Sequence, residues 1–317
     1  MSKQIQQDNI SIPIKSIQSA IYRRDIMQVE EFLQLYWDDL PQLLKLESSI
    51  LIGDYHKWSS LNFNFSKTSD LLFWFSRGEL LMGNYQNSIK LFQKLINNNI
   101  DSSLKLQSLR NLGNAFSDCE YYKQAENYFN HALNELEMQN SNEVIILKGK
   151  VFTDICRLGC RTNNLENVEH YGKEAIKIFQ NENDPWREQI VIIEILKFFE
   201  SSPNIINSLN FSGLKESQKR VEKINKSLKN TIGIMSLNFV KALRLINESS
   251  NDSAIKLLNR SLLKTAANKF NFFGSYEISK LLSTLINTKD TYFPKTLYFL
   301  EKFKNEKKSI KKTFLRA

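Results

Sequence analysis

The feature that most constrains this chain is a pair of small residues twelve positions apart, repeated along the sequence in a fixed setting of apolar side chains. The pair is Gly113 and Ala125 in the segment 106–139, and Ser76 and Ser88 in 69–102. Cys156 and Val168 take the two positions in 149–182, and Ala242 and Ala254 take them in 235–268. Around the clearest pair, Leu109, Leu112 and Phe116 recur at helical spacing before Tyr121-Tyr122 marks a break. Tyr128, Phe129 and Ala132 then recur at the same spacing. This pattern predicts two amphipathic helices joined by a tight turn. The small pair lets the helices approach, Phe129 fills the space between them, and Ala132 seats the second helix on the next unit. Phe92 holds the aromatic position in 69–102, and Ala175 the seating position in 149–182.

The breaks agree with this reading. Gly83-Asn84-Tyr85 and Asn163-Asn164-Leu165 are turn sequences at the expected places. Units start near 69, 106 and 149, separations of 37 and 43 residues, so the array is irregular. Weaker helix pairs precede it, one in 14–39 (Ile17, Ile21, Val29, Leu33, then Trp37) and one around Gly53-Asp54. Another follows, 188–200 with 214–228, split by an Asn/Ser-rich loop containing Pro203. Ten glycines and five prolines in 317 residues, with none of the prolines between 42 and 184, argue against a turn-rich β fold and for helices. The expected organisation is divergent helix pairs in 1–68, three well-defined repeats in 69–182, divergent pairs in 183–286, and a basic amphipathic helix in 287–317.

These residues carry a resemblance to tetratricopeptide repeats, whose 34-residue unit is a helix–turn–helix with this small–aromatic–small pattern. The resemblance implies an all-α superhelix of antiparallel helix pairs, each unit burying its apolar face against its neighbours. It also implies a non-enzymatic scaffold that binds a protein or extended peptide along the concave face, which first helices line. On that register the groove residues are Phe73, Trp74 and Arg77, then Gln107, Arg110, Asn111 and Asn114, then Lys150, Asp154, Arg157 and Arg161. Amides can pair with an extended backbone as donor and acceptor, and arginine can take a carboxylate through two parallel hydrogen bonds. The set therefore suits an acidic peptide or a free C-terminus. Arg110, Asn111, Asn114, Lys150 and Arg157 are similar in type to the carboxylate clamp of chaperone-binding arrays, although Phe73 and Trp74 replace the Lys/Asn pattern of their first unit. Bacterial peptide-pheromone regulators of this architecture also use groove asparagines and arginines. The alternative to an adaptor is accordingly a peptide-responsive sensor whose superhelix changes shape.

Little in the sequence suits catalysis. No phosphate-binding glycine loop, HExxH or GxSxG motif is present. The acidic pairs Glu30-Glu31 and Asp38-Asp39 diverge on a helix rather than flank a substrate. His56, His131 and His170 stand apart, and Cys119, Cys156 and Cys160 do not form a zinc-ligand pattern, so neither metal nor cofactor is expected. The N-terminal MSKQIQQDNISIPIK lacks an apolar signal core, and the apolar stretch 189–199 is short and interrupted by Glu194 and Lys197. A reducing cytoplasm is the expected compartment. Of the formal charge of +9, +6 falls in residues 287–317, where Leu297, Leu300, Phe303, Ile310 and Phe314 recur between lysines. That helix either caps the array or contacts an acidic partner, nucleic acid or membrane.

Overall fold

A computed structural model describes residues 13–61, 68–98, 100–137, 143–203, 214–227, 231–267, 271–286 and 293–315. The N-terminal dozen residues, most of the loop around Pro203 and the start of the basic tail lie outside these. Among the described residues every regular element is helical. The chain divides into two compact units, Met1–Asn64 and Phe65–Ala317.

The first unit holds α1 (Ile14–Arg23), α2 (Ile26–Tyr36), a single 3-10 turn (Trp37–Asp39), α3 (Gln42–Ile52) and α4 (Tyr55–Ser59). Ile17, Ala20 and Ile21 on α1 pack with Val29 and Leu33 on α2 and with Leu40 and Leu44, which makes a small core of its own.

The second unit runs α5 (Ser69–Leu81), α6 (Tyr85–Ile96), α7 (Ser102–Asp118), α8 (Tyr122–Glu137), α9 (Glu143–Thr162), α10 (Leu165–Asn181) and α11 (Pro185–Ser201). It continues through α12 (Leu214–Ser227), α13 (Thr231–Asn247), α14 (Asn251–Ala267), α15 (Phe272–Leu282) and α16 (Phe293–Phe314). The helices pack as pairs, α5 with α6, α7 with α8, α9 with α10 and α13 with α14. The twelve-residue small pairs sit where each pair crosses. Ser88 donates its hydroxyl to the Ser76 carbonyl at 3.0 Å, and a Cβ built at Gly113 would stand 2.3 Å from the Phe129 ring. Ala125, Ala132, Ala175, Ala242 and Ala254 are fully buried.

One turn design recurs. In each tight connection a residue with left-handed backbone ends the helix, and the following N–H reaches back to a carbonyl five residues earlier. Tyr121 to Phe116, Asn164 to Gly159, Asp184 to Phe179 and Ser250 to Leu245 are the bonds, 2.7–2.9 Å long. These are Schellman closures. The left-handed residues are Glu120, Asn163, Asn183 and Ser249 rather than glycine, so scarce glycine does not prevent the turns. Glycine takes this position at Gly53 and Gly83, and Gly83 has a further reason. It has φ +76° and would clash with the Phe272 ring of α15 at 2.2 Å if it carried a Cβ.

That contact shows how the second unit closes on itself. Its main core joins α5–α9 to α13–α16, with Phe272 edge-on to Tyr85 and Phe303 stacked on Tyr276 at 3.9 Å. Helix α16 reaches the turns of the first two pairs. Lys302 donates to the Met82 carbonyl at 2.8 Å, the Gln86 N–H to Glu306 at 3.0 Å, and Tyr121 to the Lys307 carbonyl at 2.9 Å. The face of α16 that is buried comprises Thr296, Phe299, Phe303 and Ile310, whereas Leu297 is exposed, a correction to the apolar face expected from spacing. Rotation of the helix to dock Phe299 on Phe272 moves Leu297 outward.

Candidate functional site

The first helices of the second unit turn their polar residues onto a common cavity of about 380 Å³. Its wall comes from α5, α7, α9, α11, α13 and the start of α15, with Phe179 of α10 added. Helical periodicity explains this placement. Buried residues such as Leu109, Leu112 and Phe116 face the partner helix, which leaves Arg110, Asn114 and Asp118 on another face of α7.

Eight of the eleven groove residues expected from the sequence lie on this wall: Arg77, Arg110, Asn111, Asn114, Lys150, Asp154, Arg157 and Arg161. Three do not. Phe73 is 2% exposed and packs edge-on to Phe92 in the core. Trp74 lies beneath the Arg77 guanidinium at 5.2 Å. Gln107 lends its main-chain carbonyl to the Asn111 amide at 2.8 Å. Asn111 therefore spends a donor inside its own helix, which narrows its use as a backbone reader.

The charged residues are not loose on the surface. They form a ladder that crosses from one first helix to the next. Arg110 meets Asp154 at 2.5 Å, Arg157 meets Asp154 at 3.4 Å and Glu194 at 3.6 Å, and Lys197 meets Glu194 at 3.6 Å and Glu277 at 2.9 Å. Arg161 donates to Asp118 at 2.8 Å and to Ser117 at 2.7 Å, and lies 4.4 Å from the centre of the Phe273 ring. Burial alone would raise the Glu194 carboxyl, but Lys197 and Arg157 beside it hold it down, to about 2. Burial likewise opposes the charge on Lys197, and Glu194 and Glu277 overcome it, raising the ammonium above its ordinary value. Asp118 goes the other way, since its burial outweighs the pull of Arg161 and raises the carboxyl. Buried pairs of this kind cost about as much in desolvation as they return.

Glu194, Lys197 and Glu277 were missed because α11 and α15 lie outside the clear repeats. A signal was present. Two charges three residues apart interrupt an otherwise apolar run, as expected of a buried helix with one wet strip.

A second cavity of about 460 Å³ adjoins the first and shares Asp118, Arg161, Glu194, Lys197, Phe273 and Glu277 with it. Its remaining wall combines the aromatics Tyr122, Phe198, Phe239 and Tyr276 with polar residues such as Glu120, Asn163 and Lys280. The ladder thus lines both chambers. The first chamber carries seven cationic side chains against four carboxylates. Arg77, Lys150 and Arg187 complete the cationic set, Arg77 lying over the Trp74 ring and Arg187 bonding Asp184 at the start of α11.

No three His, Cys, Asp or Glu side chains converge as a metal site among the described residues. No helix of the described residues is long and apolar enough to cross a membrane. His131 lies beside Tyr128, its ring centroid 6.5 Å away, and lines neither cavity.

No family model matches the sequence, and no curated protein matches it. Among solved structures, the crystal structure of a Rap protein complexed with competence and sporulation factor is similar, with a TM-score of 0.57. The match covers 94% of this chain and 98% of that chain at 11% identity. At this identity the likeness speaks to the fold alone. The fold is an all-α superhelix of tetratricopeptide-like helix pairs.

Proposed function

We propose that the protein is a non-enzymatic scaffold that captures an extended peptide in the cavity lined by the first helices of residues 65–317. The observation that carries this reading is the basic chamber, where seven cations face four carboxylates on a wall that also offers Asn114 and Trp186. Seven cations against four carboxylates leave the wall with an excess of positive charge, which favours an acidic side chain or a free C-terminus. A cavity of this size lies within the range that holds small ligands and peptide anchors. The similar Rap protein was solved with a bound factor, which agrees with ligand capture on this architecture. Three free thiols, two of them buried, fit the reducing cytoplasm read from the sequence.

Arg157 is the wrong residue for a test. It is wedged between Asp154 and Glu194, so reversing its charge would add a third carboxylate and unsettle the fold. The test variants are Arg77→Glu and Lys150→Glu, at wall residues outside this ladder. On an immobilised set of ten-residue peptides with free C-termini, the wild type retains acidic members over basic ones, and both variants lose that preference. Retention that ignores peptide charge, or preference unchanged in both variants, refutes the reading.

One observation bears on the choice between a static adaptor and a sensor. Helix α16 joins the end of the array to its beginning through polar contacts at Met82, Gln86 and Glu120. A change in curvature on binding would have to break them. Small-angle scattering with and without a retained peptide separates the two, since an adaptor keeps its radius of gyration and a sensor does not.

A further inference from the structure

The charged groups of the second cavity are paired with one another. Asp118 holds Arg161, Glu194 and Glu277 hold Lys197, and Glu120 holds Lys280 together with Lys307 of α16. Three cations on this wall stand against four carboxylates, whereas the first cavity sets seven against four. The apolar residues of the second cavity are in the opposite condition. Tyr122, Phe239, Leu243, Phe273 and Leu281 line it and are only half-buried, so apolar surface there still meets water. A ligand entering this space gains little from ions whose pairing it must first undo. It gains by covering the apolar surface.

We infer that the second cavity is a specificity pocket for an aromatic side chain of the peptide whose acidic group lies in the first. The pocket rests on the peptide reading above and names a residue which that reading leaves open. The two cavities adjoin and share the ladder residues, so one extended chain can cross from the basic wall to the apolar one. Charge assigns the two ends. The acid goes where cations exceed carboxylates, and an uncharged group goes where they do not. The rings then select an aromatic occupant over an aliphatic one. Cations already sit over three rings of this wall: Arg161 lies 4.4 Å from the centre of Phe273, Lys197 5.5 Å from that of Phe239 and Lys280 6.0 Å from that of Tyr276. A ring placed among them has other rings to stack on, and the exposed Lys280 can meet its electron-rich face. Leucine matches only the area. A volume of about 460 Å³ lies within the range of ligand pockets.

The test uses the full chain and ten-residue peptides of glycine and serine that end in two glutamates. Alanine, leucine, lysine or phenylalanine is placed in turn at each of the five positions before the acids. At one position phenylalanine binds wild type about tenfold more tightly than alanine and about threefold more tightly than leucine, while lysine gives no gain. Phe239→Ala abolishes the advantage of phenylalanine and keeps the preference for acidic peptides. Loss of a wall ring can also loosen the fold, so a second measurement uses wild type alone. Benzoylphenylalanine at the favoured position, irradiated in the complex, attaches to Phe239, Leu243 or Leu281, mapped by mass spectrometry of the digest. Attachment confined to residues of the first cavity, such as Ile190 or Ser236, overturns the pocket. So does an equal gain from leucine, or a phenylalanine gain unchanged in Phe239→Ala. A wild type that ignores the acidity of the peptides refutes instead the function on which the pocket rests.

Discussion

Replacing Gly113 by alanine separates two effects of opposite sign. Gly113 lies within α7, where alanine is intrinsically the better helix former by about 1 kcal/mol. On propensity alone the variant should gain stability. The structure predicts the reverse. The new methyl would stand 2.3, 2.6 and 2.8 Å from three atoms of the Phe129 ring. Ordinary carbon contacts need about 3.5 Å or more, so the ring or the helix must move by about 1 Å. Phe129 is 1% exposed, and the neighbouring Leu112, Ala125 and Ala132 are wholly buried, so the ring has no free volume to enter. Overpacking of a tight core costs about 1–3 kcal/mol, and this site belongs in the upper half of that range. Subtracting the propensity gain leaves a net loss of about 1–2 kcal/mol. For a cooperative unit of this size that lowers the melting temperature by about 2–8 °C, followed by circular dichroism at 222 nm.

A double-mutant cycle makes the cause explicit. Phe129→Leu alone costs about 1–2 kcal/mol through the volume it removes. Added to that background, Gly113→Ala meets no ring, so it should be neutral or stabilising. The coupling between the two is then about 2 kcal/mol. A Gly113→Ala protein that melts higher than wild type would refute the packing argument, as would a strictly additive double mutant. Either result would mean that the small pair marks the helix crossing without being required by it.

Two other perturbations follow from the same geometry. Glu194→Gln leaves Arg157 and Lys197 facing each other across a neutral amide, which should cost about 3 kcal/mol at neutral pH. Because the folded carboxyl sits at about 2 and an unfolded glutamate near 4.3, the stability from Glu194 is present above the unfolded value and drains away as pH falls toward 2. Acid titration of stability should therefore be shallower in the variant, and parallel curves would show that Glu194 is not held down. Deleting residues 293–317 removes Phe299, Phe303 and Ile310 from the main core, at about 1.5–3 kcal/mol each. The second unit should lose its cooperative melt, and a sharp transition within about 5 °C of wild type would show that α16 is dispensable.

The helix pairs were legible because they are written in local terms. Gly113, Ala125 and Phe129 are spaced by the geometry of one helix crossing, and a single chain segment contains all of it. The closure of the array was not legible. Gly83 meets Phe272 and Lys302 meets Met82 across nearly two hundred residues or more, and no periodicity connects them. The same limit misplaced Phe73. Its expected place was the groove, but its contact with Phe92 on the second helix of the same pair seats it in the core. Turn chemistry was read only in part, since Glu120 and Ser249 adopt left-handed backbone that their residue types do not advertise.

The ladder lies between these extremes. Arg110 pairs with Asp154 at 44 residues' separation, Asp118 with Arg161 at 43, and Arg244 with Glu200 at 44. These intervals match the repeat spacing of the chain, 43 residues between the units starting near 106 and 149. Adjacent first helices stand side by side, so a residue and its counterpart one repeat later face each other across the groove. Opposite charges at one phase of neighbouring repeats therefore predict a rung, as cross-strand pairs do in a sheet. This explains why a chamber rich in arginine is less basic than its composition suggests. Each of these rungs cancels a cation with a carboxylate from a neighbouring unit. The neutral Asn114 stands one repeat after Arg77 on the same wall. Placing an acid there, Asn114→Asp, should engage Arg77 and lower acidic-peptide retention while leaving the melting temperature unchanged or higher. Undiminished retention in that variant would show that rung pairing does not set the charge the groove presents.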